Sequence, residues 1–180
     1  MRTPVFGDRR QRRYIGGRQH RDGGHRHRQF GAVAVEHGAT LRRGIEGARA
    51  LFVNEYEFGL VEKITGLTRE DVLQQVEFLV IRLGSKGAQI VTRETEIQIP
   101  VFPPNRIQDP TGVGDAFRGG FLVGYSQGWS LEMCGKMGAL AATYCLENMG
   151  PQGHQYTTAE YVARFRTFFD DQGILDQLIK

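Results

Sequence analysis

The 180-residue sequence has two cysteines and no apolar run near the roughly 20 residues that a bilayer crossing requires. Its N-terminus lacks the apolar centre of a secretory signal, so a soluble, cytoplasmic protein with no membrane partner is expected. Cys134 and Cys145 lie in one predicted helix. At about 1.5 Å per residue they are about 16 Å apart, too far for a bond between them. They are expected to be core thiols, and no metal-ligand spacing surrounds them. No internal repeat is visible. With 40% hydrophobic residues, the chain can bury one core.

The formal charge of +3 is unevenly spread. Residues 1–43 hold eleven Lys or Arg against three Asp or Glu, whereas residues 44–180 hold twelve against seventeen. The basic part, rich in Arg, His and Gly, shows no periodic apolar pattern before "FGAVAV" at residues 30–35. Residues 1 to about 29 are expected to be poorly ordered, as one of two things. One is a nucleic-acid-binding arm, which clustered Arg with Gly would suit; the other, taken here, is an appendage, or a mistranslated or truncated start, with no such partner. His20, His25 and His27 could chelate a metal, but they lack acidic or cysteine partners in a folded frame.

From about residue 44 the pattern changes. A strand is predicted over 50–53, helices over 55–65 and 69–76, strands in "FLVIRLG", "AQIVTR" and "TEIQIPVF", and a proline-rich loop in "PPNRIQDPTG". Helices follow at about 115–127, 131–148 and 158–171. Strands alternating with helices predict a three-layer α/β/α architecture with a largely parallel sheet.

In such a sheet, ligands sit beyond the carboxyl ends of the strands. The stretch "DPTGVGDAFRGGFL" belongs there. Gly112, Val113 and Gly114 would present free N–H groups at the positive end of a helix, where an anion is stabilised. Asp115 beside them could take a proton from an attacking hydroxyl. A turn followed by an N-terminal helix acid is the plainer reading of "GVGD" alone. Asn54 and Glu57 are open in the same way, since a helix start explains them as well as ligand binding does. Arg118, one turn past Asp115, could meet a phosphate or stand as an exposed helical residue.

Taken together these stretches resemble the PfkB family, the ribokinase and adenosine kinase group of carbohydrate and nucleoside kinases. "DPTGVGDAFRGGFL" is close to the family signature D-T-x-G-A-G-D followed by small and apolar residues, departing at Pro110 and Val113. "NEYE" at residues 54–57 resembles the N-x-x-E element, and "IRLGSKGA" at 81–88 resembles the T-L-G-x-x-G segment with Arg82 in place of Thr. "AATYCLENMGPQGHQYT" is similar to the last core helix and turn of bacterial members, on the adenosine-kinase side. The resemblance implies a ribokinase-like fold and transfer of the γ-phosphoryl group of ATP to a nucleoside, adenosine-like, or to a sugar. It implies Asp115 as general base, with the N–H groups of Gly112, Val113 and Gly114 as anion hole. Asn54, Glu57, Arg82, Gly84 and Gly87 would bind ATP, Glu57 would hold Mg²⁺ through water, and Asp109 and Thr111 would lie at a monovalent-cation site such as K⁺.

The resemblance covers about 130 residues. The family's N-terminal half, with its first strands, Gly-Gly substrate motif and β-sheet lid, is not found in residues 1–43, so residues 44–180 are expected to be the ATP-binding part of a truncated domain. The alternative function is therefore a catalytically silent nucleotide-binding remnant. A homodimer is a further expectation, because lid pairing is a common route to dimers in the family.

Overall fold

The structure, a computed structural model, describes residues 38–179. The expectations for residues 1–29, including those for His20, His25 and His27, lie outside the described residues.

Two strands run buried along nearly their whole length: β1 (Ala50–Asn54) and β2 (Phe78–Arg82), paired in parallel with Asn54 opposite Arg82. Because successive side chains point to opposite faces, each strand feeds two cores. Ala50, Phe52, Phe78 and Val80 enter one, and Leu51, Val53, Leu79 and Ile81 the other. Two further strands, β3 (Ala88–Val91) and β4 (Glu96–Ile99), complete the sheet in the order β1-β2-β3-β4.

Both of these added pairings are antiparallel, so the expected largely parallel sheet is instead mixed. The reason is connection length. β2 reaches β3 through Leu83–Gly87, with a short 3₁₀ turn at Gly84–Lys86, and β3 reaches β4 through residues 92–95. Neither link is long enough for the crossover that a parallel pair needs.

One face of the sheet carries α1 (Gly38–Glu46), α2 (Glu55–Thr65) and α3 (Arg69–Gln75). The other carries α4 (Val113–Ser126), α5 (Leu131–Leu146) and α6 (Thr158–Phe165). This is the three-layer α/β/α arrangement. Helix α1 runs across residue 43, where composition alone placed the change of character; it buries Leu41 and Ile45, spaced to share one helix face. The predicted last helix stops at Phe165 rather than near residue 171, and the chain ends in a 3₁₀ turn at Ile174–Leu178.

Local chemistry sets these boundaries. Asn54 with Glu57, Thr68 with Asp71 and Thr157 with Glu160 each form a reciprocal capping box, satisfying helix donors that have no intrahelical partner. Helix α5 is made largely of small and apolar residues and is buried along most of its length. Burial pushes the Cys134 thiol up to about 11, as befits a core thiol.

Helix α4 is fixed to the sheet through aromatic rings. Phe121, fully buried, meets Phe52 edge-on at 5.0 Å and lies 5.5 Å from Phe78. Phe121→Ala should cost about 3–5 kcal/mol, the usual range for truncating a buried phenylalanine. Urea unfolding would read this as a lower midpoint at unchanged slope.

An ion cluster ties down the C-terminal segment. Arg166 donates through Nε and Nη2 to the two oxygens of buried Asp171 at 3.0 and 2.8 Å, and Nη2 also reaches Asp176 at 2.7 Å. These contacts from Arg166 hold the Asp171 carboxyl down at about 2. An unfolded aspartate titrates near 4. The folded form is therefore favoured above about pH 4, and this contribution, on the order of 2 kcal/mol, is lost as pH falls to about 2. Melting temperature should drop across that window, and Asp171→Asn should flatten the drop.

Candidate active site

Strand register brings the first two candidates together. Asn54 closes β1 and Arg82 closes β2, side by side at the carboxyl edge of the sheet. Asn54 also caps α2: its Oδ1 accepts from the Glu57 N–H at 2.8 Å, while Glu57 Oε2 accepts from the Asn54 N–H at 2.7 Å. The helix-start reading of this pair is thus realised. Among the described residues it leaves Glu57 Oε1 without a hydrogen bond, and Oε2 also faces Arg82 Nη2 at 3.5 Å.

The third element is the start of α4, two residues earlier than expected, at Val113 rather than Asp115. Its N-cap is Gly112 at φ 82°, ψ −4°, a left-handed conformation that strongly favours glycine. A side chain there would also strike Pro151. The cap leaves donors free: the N–H groups of Gly112 and Gly114 make no hydrogen bond within the described residues, and that of Val113 has only a 3.4 Å contact with the Pro110 carbonyl. Asp115, in the first turn, is 82% exposed and accepts from Arg118 Nη1 at 3.2 Å.

Arg82 lies across this helix start. Its guanidinium occupies the space a side chain at Gly114 would need, so a larger residue there would displace Arg82 from this position. Burial pushes Arg82 below the ordinary guanidinium value; Glu57 opposes that shift, nearby Arg118 adds to it, and Asp115 opposes it.

Behind these groups is a pocket of about 220 Å³, lined by Asn54, Arg82, Gly84, Gly87 and Val113. Val101, Phe117, Ala139, Ala142 and Leu146 give it an apolar wall. The sequence reading did not include those wall residues. For Ala139 and Ala142 the signal was the run of small residues in α5, which is equally the mark of close helix packing; Val101 and Phe117 lie outside that helix and carried none.

Asp109 and Thr111 do not line this pocket. Asp109 Oδ1 accepts from the Thr111 N–H at 2.8 Å and Oδ2 from the Gly150 N–H at 2.9 Å. Hydrogen bonds from Thr111, then Gly150, hold this carboxyl below its usual range. Asp109 braces the loop before α4, and Cys145 Sγ supports the same loop at 3.3 Å from the Thr111 carbonyl.

Helices on both faces of a mixed sheet, with a glycine-capped helix opening beside a pocket at the strand ends, define a ribokinase-like α/β fold. The pfkB family carbohydrate kinase profile matches residues 34–158, and the chain belongs to that family. It is 38% identical over 120 residues to a nucleoside kinase of Methanocaldococcus jannaschii, an alignment covering 67% of this chain and 40% of the relative. A Burkholderia thailandensis nucleoside kinase in complex with ADP-inosine superposes with a TM-score of 0.73 at 41% identity, over 75% of this chain and 42% of that one. An Arabidopsis thaliana ribokinase complexed with ribose and ATP gives 0.59 at 25% identity, over 70% and 43%. The chain thus spans less than half the length of these relatives.

Proposed function

We propose that this chain binds ATP and transfers its γ-phosphoryl group to a hydroxyl of a nucleoside, with purine nucleosides such as inosine or adenosine as the acceptor class. One observation carries the reading: the N–H groups of Gly112 and Gly114, without a hydrogen-bond partner among the described residues, open α4 beside an exposed carboxylate and flank Val113, which lines the pocket. Unpaired donors at a helix N-terminus stabilise negative charge, and a carboxylate one turn away can take a proton. The apolar wall suits a base, and the glycines at 84 and 87 let backbone approach it. The nucleoside preference draws on the Methanocaldococcus and Burkholderia relatives.

In the transfer, the acceptor hydroxyl oxygen forms a bond to the γ-phosphorus as its proton passes to Asp115. The bond from the γ-phosphorus to the bridging oxygen breaks, and its electron pair leaves on ADP. Gly112, Val113 and Gly114 face the charge that builds on the transferring group. Asn54 and Glu57 hold the end of β1 and the start of α2, beside the end of β2 from which Arg82 would reach the phosphates.

Among the described residues no three His, Cys, Asp or Glu side chains converge on a metal position. The uncommitted Glu57 Oε1 fits a Mg²⁺ ion held through water, with the nucleotide's phosphates supplying further oxygens. Such an ion would neutralise phosphate charge. A monovalent cation near residues 109–111 would take backbone carbonyls, because both Asp109 oxygens are engaged.

The test is incubation of the full chain with labelled ATP and a panel of nucleosides and sugars. Labelled nucleoside monophosphate is the expected product. ATP binding with no product from any acceptor would favour the alternative, a nucleotide-binding chain without turnover.

A further inference from the structure

Arg82 and Arg118 are held in an arrangement that their present partners do not explain. A cation at a helix N-terminus opposes the helix dipole, yet Arg82 lies against the first turn of α4, with Arg118 close enough to oppose its charge. Their carboxylate contacts are weak replacements for water. The Arg82–Glu57 contact is long and single, at 3.5 Å, and Arg118 meets an Asp115 that is 82% exposed. Exposed pairs of that kind contribute little. Moreover, the Nε atoms of both arginines are buried and have no hydrogen-bond partner within the described residues. A buried donor without an acceptor is costly, and two of them, on side chains that meet a helix start whose Gly112 and Gly114 N–H groups have no partner among the described residues, call for an acceptor with several oxygens.

We propose that Arg82 and Arg118 form a two-guanidinium clamp for the terminal phosphate of the nucleotide, and that its arrival replaces their present carboxylate partners with phosphate oxygens. The proposal rests on the nucleotide reading above and adds a sequence of events to it. Before the nucleotide arrives, Asp115 is tied to Arg118 and Glu57 faces Arg82. Once a phosphate takes the guanidinium forks, Asp115 is released to accept a proton, and Glu57 Oε2 keeps only its contact with the Asn54 N–H. Planar guanidinium groups suit this exchange because carboxylate and phosphate present oxygens to them in similar ways. Arg118 is steadied over the Phe52 ring at 6.0 Å, so it can change partners without losing its packing.

The experiment is calorimetric titration of the full chain, Arg82→Gln and Arg118→Gln with a non-hydrolysable ATP analogue and, separately, with AMP. Each variant should bind the analogue about 10- to 100-fold more weakly, as expected for a lost charge-assisted contact, and AMP within about twofold of the parent. Arg82→Lys should recover only part of the loss, since it restores charge without the fork. Equal weakening of both ligands would assign the arginines a structural role and overturn the clamp, as would unchanged analogue binding in both glutamine variants. If the parent chain bound neither ligand, the nucleotide reading itself would fail, and the clamp with it. A variant that failed to fold would show in its melting curve, leaving the other two to decide.

Discussion

Gly120→Val is expected to lower the melting temperature by roughly 10–20 °C, more than any surface change in this chain. Helices α4 and α5 approach so closely that a β-carbon at residue 120 would sit 2.7 Å from the Ala141 side chain, 2.8 Å from the Met137 carbonyl oxygen and 3.2 Å from the Gly138 α-carbon. Two of these obstacles are backbone and cannot swing aside. Gly138 has the reciprocal problem, 2.8 Å from the Phe117 carbonyl oxygen. Overpacking usually costs about 1–3 kcal/mol, and a branched side chain against rigid backbone should cost about 4 kcal/mol or more, a large share of the 5–15 kcal/mol that holds a typical domain. The adjacent Gly119 provides the control, because a β-carbon there would meet nothing within 4 Å. Gly119→Ala should leave the melt unchanged or raise it slightly, by up to about 1 kcal/mol of helix propensity. Equal melts for the two variants would mean that the helices are farther apart in solution.

The second large effect concerns chemistry alone. Asp115→Asn should reduce phosphoryl transfer by about 10²- to 10⁴-fold, the contribution of a positioned general base, while leaving nucleotide affinity and melting temperature close to the parent. The side chain is almost fully exposed and its hydrogen bond is to Arg118 in the same helix, so little packing depends on it. Transfer measured with labelled ATP and inosine, alongside calorimetry with the ATP analogue, separates the two outcomes. Undiminished transfer in the variant would place the base elsewhere.

The site was more legible in the sequence than the sheet that carries it. "GVGD" and "NEYE" depend on backbone geometry that particular residues announce: a glycine where φ must be positive, and an asparagine three residues before a glutamate at a helix start. The direction of β3 and β4 is not legible in the residues, because strand direction is set by link length and tertiary pairing, and an apolar run reads the same in either direction. Helix α1 was passed over for a related reason. Its two buried residues, Leu41 and Ile45, sit among Arg42, Arg43 and Glu46, so average composition masks an amphipathic pair that is visible only by spacing. The apolar wall of the pocket could not be separated from ordinary core, because Phe117, Ala139 and Ala142 serve both. For Asn54 and Glu57 the two readings offered by the sequence were not rivals: the capping box forms, and the free Glu57 oxygen remains available.

Asn54 and Arg82 are cross-strand neighbours in a buried parallel pair, so their separation is dictated by hydrogen-bond ladder spacing rather than by any connecting loop. The hairpin at residues 92–95 and the long link before α4 are therefore under no obligation to keep their length or composition on behalf of those two side chains. Drift between related chains can accumulate there at low cost, whereas a single-residue insertion inside β1 or β2 would turn one of the pair toward the wrong face and dismantle the pocket in one step.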